Sequence, residues 1–302
     1  MGTLQVGVIG MGPVWRRWLK PALLAAPDQY RIVLVADQNR RRADDEAAEL
    51  RCPSSPSAGR LIRHAEVDVL VLGDSQWHGL WALEEALKLG KPVLSAVPLG
   101  AEPAAFTRLE PMLHNAERCV YFVEALSAPG LVTRVRELQQ GALGPLTSAF
   151  ASAETGGWAG LARVAALVTE LTDGSNQSVQ SVGRDAREAA PRGIALEGKT
   201  GWTMYIAGAR ESSSPRLRLR TERGSASLRW PSRLLWQSGA AQHRERLTRE
   251  SVLPAVLQHF HALVWSGQCD EDSQRAALEN GRLMYAALRS FENEGKRFML
   301  AS

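Results

Sequence analysis

The run from Leu4 to Gly10 is short, β-branched and ends on glycine, and it leads through Met11 and Gly12 straight into residues 13–26, which are rich in helix formers. A strand, a tight turn and a helix in that order constrain this chain more than any other feature. Such a turn aims backbone N–H groups and a helix N-terminus at one point, the arrangement that receives a pyrophosphate. Gly10 permits the bend and Gly12 lets a ligand come close to the backbone. Pro13 falls in the first helical turn, where proline is tolerated, but it removes one donor from the phosphate-facing side; Val14 follows it. A second apolar run, 32–36, ends at Asp37, whose carboxylate can accept hydrogen bonds from an adenosine ribose. A third, 67–72, ends at Gly73 and Asp74. The third small residue of the fingerprint falls at position 15, where Trp15 is expected to crowd the helix against the strand.

Strand and helix patterns then alternate. Residues 41–50 read as helix, 79–89 as helix stopped by Gly90, 92–95 as strand, 102–116 as helix and 119–123 as strand. Right-handed crossovers make this a parallel sheet covered on both faces. After residue 145 the pattern changes to one strand (146–154), one helix (158–172) and strands near 177–185, 199–208, 216–222, 225–230 and 233–237, closed by helices at 251–266 and 273–293. The expected fold class is therefore α/β. A Rossmann parallel sheet occupies 1–122, and an α/β domain on a mostly antiparallel open sheet occupies 123–302, with final helices able to pack back on the first domain.

Composition excludes several classes. No stretch approaches the ~20 apolar residues of a membrane span, and no secretory signal precedes the first strand, so a cytoplasmic location is expected. Gly2 is no myristoylation site, because Val6 stands where Ser or Thr is needed. Cys52, Cys119 and Cys269 are widely spaced free thiols, and no ligand spacing marks a metal. The net charge of +4 concentrates only at Arg216, Arg218 and Arg220, which alternate with leucines as on the wet face of a strand, so no nucleic-acid partner is expected. His259 and His261, two apart on a helix, diverge.

The run Val6 to Gly12, the segment Val67 to Gly73 with His78 and the helix to Leu89, Gly90 to Leu94 leading to Pro98 and Leu99, Arg136 to Leu138 with Gly141 to Gly144, and Gly295 to Arg297 together resemble the Gfo/Idh/MocA family of NAD(P)-dependent oxidoreductases. The resemblance implies an N-terminal cofactor domain. It also implies a C-terminal domain whose open sheet covers a sugar-like substrate and forms a homo-oligomer interface. It places the cofactor against Gly10, Met11, Gly12, Pro13, Val14, Asp37, Gly73, Asp74, His78, Val97 and Pro98. NAD is the expected cofactor because Asp37 would repel a 2′-phosphate, while Arg40, Arg41 and Arg42 keep NADP open.

The family's proton-handling groups are missing. Its Glu-Lys-Pro reads Ala96, Val97 and Pro98 here, and valine cannot move a proton. Its Asp-x-x-x-His pair, aligned on Gly174, falls on Gly160 and Val164, and residues 157–172 contain neither Asp nor His. The arginine motif near the linking segment is absent from Ala125 to Pro129. Loss of a general base typically costs ~10²–10⁴-fold. Glu124, Glu154 and His78 are candidate substitutes, although strand-end carboxylates are commonly solvated and His78 also suits helix capping or cofactor contact. Trp77, Trp81, Trp158 and Trp202 could line a pocket or fill core. No residue is assigned a catalytic role. Two readings follow: an oxidoreductase homologue with lost or altered sugar or polyol chemistry, and a non-catalytic sensor, partner subunit or scaffold.

Overall fold

Val6, Val8 and Ile9 are fully buried because the strand that carries them is covered on both faces. The computed structural model describes residues 2–73, 77–115, 119–123, 129–153, 157–172, 176–183, 190–208, 216–229, 233–246 and 253–300. Its first sheet has five parallel strands, β1 (Leu4–Ile9), β2 (Tyr30–Ala36), β3 (Val69–Leu72), β4 (Val93–Ser95) and β5 (Val120–Phe122), in the order β2-β1-β3-β4-β5. The order reverses at β1, so the crevice at the carboxyl ends of β1 and β3 is the switch point where ligands of such sheets bind. The helices are α1 (Lys20–Leu24), α2 (Arg40–Leu50), α3 (Ala58–Ile62), α4 (Trp81–Lys88) and α5 (Phe106–His114).

The chain divides into two compact units. The first comprises Met1–Pro98, Ala105–Glu124 and Val252–Leu278; the second comprises Leu99–Ala104, Ala125–Ser251 and Glu279–Ser302. The helices of the later segments are α6 (Pro129–Gln140), α7 (Gly157–Leu171), α8 (Leu253–Ser266) and α9 (Glu271–Glu292). α8 lies in the first unit, held by buried Phe260, by Tyr30 Oη donating to Leu257 O at 2.6 Å and by His261 Nε2 at 2.9 Å from Gly2 O. His259, by contrast, is exposed and paired with Asp270 at 2.7 Å, so the two histidines do diverge.

The second unit is built on β6 (Leu146–Ser152), β7 (Asn176–Val182), β8 (Gly193–Gly198), β9 (Thr203–Ala207), β10 (Arg216–Thr221), β11 (Gly224–Arg229), β12 (Arg233–Ser238), β13 (Ala241–Arg246) and β14 (Phe298–Met299). They form one sheet in the order β13-β12-β11-β10-β6-β9-β8-β7-β14. Every pairing is antiparallel except β6 with β9. One face, carrying Ala151, Ile206, Leu217, Leu228 and Leu234, packs with Val135 of α6 and Leu161 and Val168 of α7 into the core.

Three strands differ from the sequence expectation. The run expected at 199–208 begins at Thr203 and is preceded by β8, with Gly201 at φ +83° turning the chain between them. β8 opens and closes on glycine, which hid it. β13 is the edge strand and has no apolar face, because an edge needs none and charge there discourages pairing with other chains. β14 is two residues long, too short to leave a pattern.

Candidate functional site

The turn after β1 is held by hydrogen bonds that begin at β2. Gly10 sits at φ +87° and donates its N–H to Ala36 O at 2.9 Å. Met11 N–H donates to Asp37 Oδ2 at 2.8 Å, and Asn39 N–H to Asp37 Oδ1 at 2.9 Å. The Asp37 side chain is 3% exposed, and Arg42 Nη1 lies 3.7 Å from Oδ2. Asp37 thus ties the phosphate-type turn to the end of β2, and each of its oxygens keeps a second lone pair for a ribose hydroxyl. Gly10, Met11 and Gly12 are buried, Val14 is half-buried and Pro13 is exposed.

Trp15 does not crowd the turn as its position in the fingerprint led us to expect. Residues Trp15–Leu19 form a π-helical turn ahead of α1, and Lys20 N–H reaches back to Trp15 O. The wider turn lets the indole go inward, fully buried, where Nε1 donates to Glu46 Oε1 at 3.0 Å. Lys20 Nζ lies 2.5 Å from Glu46 and 2.7 Å from Glu49. Burial works against the Lys20 ammonium, but the two carboxylates outweigh it and hold its pKa above the ordinary value.

Gly73, after β3, lies against the same turn. It donates to Ile9 O at 2.9 Å, and a Cβ placed on it would sit 2.5 Å from Gly10 O and 3.2 Å from Trp15 Cβ. Gly73→Val is therefore expected to displace the turn, costing ~1–3 kcal/mol of stability and most nucleotide affinity. Thermal melts and titration with NADH check this; an unchanged melt would show that the approach is not close.

After β4, Ser95 Oγ donates to Val97 O at 2.9 Å and accepts from Val97 N at 3.2 Å, while Ala96 N donates to Leu72 O at 2.9 Å. Val97 is fully buried and Pro98 is buried beside it. The turn is thus closed on itself by a serine, with an apolar side chain where proton chemistry was sought. His78 is 7% exposed, with its ring edge-on to Trp77 at 5.0 Å between centroids. Its side chain does not cap α4, whose N-cap is Leu80 with no side-chain bond; its carbonyl accepts from Trp81 N at 3.0 Å. Asp74, Glu124 and Glu154 lie outside the described residues.

In the second unit, α7 carries Gly160 and Val164 on buried positions and is apolar throughout its first three turns apart from Arg163. Trp202 is core, Trp158 packs edge-on to Phe291 at 6.1 Å, and Trp81 is 43% exposed. Burial pushes the Cys119 thiol up to about 12 and raises those of Cys52 and Cys269, which removes them as ready nucleophiles. Among the described residues no cluster of three His, Cys, Asp or Glu could hold a metal, and no helix is long and apolar enough to cross a membrane.

A feature the sequence did not reveal is a cleft of about 260 Å³ past the end of β2, lined by Arg16, Asn39, Arg41, Arg42, Asp45, Glu46 and Glu49. Arg16 comes from the π-turn and Arg41 and Arg42 from α2, so only the fold brings these guanidinium groups together. The cleft adjoins Asp37 through Asn39 and Arg42, and its three guanidinium groups face the carboxylates of Asp45, Glu46 and Glu49, the last two held by Lys20.

A parallel sheet, a glycine turn at its switch point and an acid closing β2 define a dinucleotide-type Rossmann domain. Residues 4–124 match the Gfo/Idh/MocA model, described as an oxidoreductase family with an NAD-binding Rossmann fold. No curated protein sequence matches the chain. Solved structures extend the likeness of fold to the whole length. An oxidoreductase from Thermotoga maritima is 18% identical with a TM-score of 0.79, covering 99% of this chain and 98% of its own. A 3-ketoreductase from Actinomadura kijaniata in complex with NADP is 17% identical with a TM-score of 0.82, covering 96% and 98%. An aldose-aldose oxidoreductase from Caulobacter crescentus, complexed with glycerol, is 15% identical with a TM-score of 0.76, covering 99% and 100%.

Proposed function

We propose that this chain is an NAD(P)-binding member of the oxidoreductase family in which the usual sugar or polyol dehydrogenation is lost or rewired. The observation that carries the reading is fully buried Val97, in the turn where the family resemblance puts a proton-transferring lysine. A nicotinamide dinucleotide, when bound, supplies a hydride donor or acceptor. The chain's own residues supply its seat: Gly10 and Met11 at the pyrophosphate turn, Asp37 at the ribose, and Arg41 and Arg42 at a 2′-phosphate. This seat accepts both NAD and NADP, because the Asp37 charge is partly balanced by Arg42 while each carboxylate oxygen, after accepting one backbone N–H, keeps a lone pair for a ribose hydroxyl. The ligand beside the cofactor is a polyol or sugar-like molecule, in keeping with the names of the relatives above.

Purified protein is expected to bind NADH and NADPH by calorimetry, yet to turn over neither with a panel of aldoses and keto-sugars, nor NAD or NADP with sugars and polyols. Robust reduction of the first group or oxidation of the second would sink the reading. Val97→Lys separates a rewired site from an abandoned one: restored activity means that the remaining site is intact.

A further inference from the structure

One buried cation sorts the charges beyond the end of β2. Lys20 Nζ lies 2.5 Å from Glu46 and 2.7 Å from Glu49, and its side chain is 12% exposed. Glu46 also accepts from Trp15 Nε1 at 3.0 Å, so one carboxylate of α2 fastens the π-turn at Trp15, where it begins, and at Lys20, just past its end. A π-turn closes i→i+5 bonds in place of i→i+4, and such turns recur at functional sites. Here the bond runs from Lys20 N–H to Trp15 O. With the turn so held, Trp15 and Leu19 are buried, while Arg16 between them is exposed and lines the cleft.

Arg16 and Arg41 are exposed and, among the described residues, enter no ion pair, whereas Arg42 lies 3.7 Å from Asp37. Glu46 and Glu49 are engaged by Lys20, which leaves Asp45 as the one lining acid without a cation of its own among the described residues. Burial works against the Lys20 ammonium, yet its two partners keep it charged. Without Lys20 the acids Asp37, Asp45, Glu46 and Glu49 would outnumber Arg16, Arg41 and Arg42. Arg42 and Glu46 are also one turn apart on α2, so a Glu46 released from Lys20 would turn to that guanidinium and close the cleft to other anions.

We propose that Lys20 is a positioning residue for cofactor choice: by holding Glu46 and Glu49 it leaves the Arg16 and Arg41 guanidinium groups open to the 2′-phosphate of NADP. This assignment rests on the proposed function and adds two residues to it. Lys20 acts without touching the nucleotide, and Arg16 arrives from the π-turn after β1, on the opposite side of the cleft from α2. Guanidinium forks suit the oxygens of a phosphate dianion. NAD has a neutral hydroxyl at that position and relies on Asp37, so the Lys20 lock is nearly indifferent to it. A lock that served stability alone would weaken both nucleotides together.

The test is calorimetric titration of the full chain with NADPH and NADH, which differ only in the 2′-phosphate. Arg16→Gln alters an exposed group and is expected to lower NADPH affinity about tenfold, the worth of one charge-assisted contact, while NADH stays within about twofold. Lys20→Met is expected to lower NADPH affinity by a similar factor, again with little change for NADH. Adding Glu46→Gln and Glu49→Gln to Lys20→Met is expected to restore NADPH binding, because the freed acids are then gone and an amide oxygen at position 46 still accepts from Trp15. Lys20→Arg keeps the cation and is expected to keep the wild-type ratio. Should Lys20→Met fail to fold, Arg16→Gln and the triple variant decide. Equal losses of both nucleotides in Arg16→Gln, or NADPH affinity that stays low in the triple variant, would overturn the role of Lys20 and leave the proposed function standing. Binding of neither nucleotide by the wild-type chain would overturn the proposed function, and this role with it.

Discussion

Trp15→Ala is expected to destabilise the first unit by ~3–5 kcal/mol, the range for truncating a buried large aromatic. The indole is fully buried and donates to Glu46, itself 7% exposed. Truncation therefore opens a cavity and also removes one of the partners of a nearly buried carboxylate. Against a typical total of ~5–15 kcal/mol, that loss removes a large share of the unit's stability. Trp15→Phe keeps most of the volume and deletes only the donor; Glu46 retains Lys20 at 2.5 Å, so a loss of ~1 kcal/mol is expected. Urea titration of both variants measures the difference. A cost below ~1 kcal/mol for the alanine variant would mean that the ring does not carry the packing described.

Asp37→Ala is expected to have the largest effect on ligand preference. The carboxylate accepts from Met11 N–H in a part-buried bond and from Asn39 N–H in an exposed one. Water replaces the second bond readily but not the first, so the stability cost is ~1.5–3 kcal/mol, arising mainly at Met11. Removing the negative charge also leaves Arg42, with Arg41 and Arg16 at the same cleft, unopposed by this acid. NADPH affinity is therefore expected to rise relative to NADH by about tenfold, equivalent to ~1.4 kcal/mol. Paired calorimetric titrations read the ratio, and a ratio moving toward NADH would show that Asp37 does not sit at the ribose.

The parallel sheet was legible because each of its strands is an apolar run ending at Asp37, Gly73 or a comparable punctuation, and because buried strands cannot hide their composition. Trp15 was misjudged because the rule for a small residue at that position presumes a regular α-helix, whereas a π-turn re-aims the side chain. β13 could not be found by pattern, since Ala241 to Arg246 has no apolar face to reveal. The cleft of Arg16, Arg41 and Arg42 depends on which residues lie side by side in the fold. The approach of the π-turn to α2 decides that, and the chain order does not print it.

The return of α8 to the first unit has a consequence for how the protein is made. The hydroxyl of Tyr30 finds its acceptor 227 residues downstream at Leu257, and the carbonyl of Gly2 meets His261 259 residues downstream. Domains ordinarily fold in turn as they leave the ribosome, N-terminal first. Here Tyr30 and Gly2 wait for partners 227 and 259 residues downstream. The nascent Rossmann sheet must remain unfinished, with part of its apolar surface uncovered, while Ala125–Ser251 of the second unit is being synthesised, so the first unit is completed only after α8 has emerged.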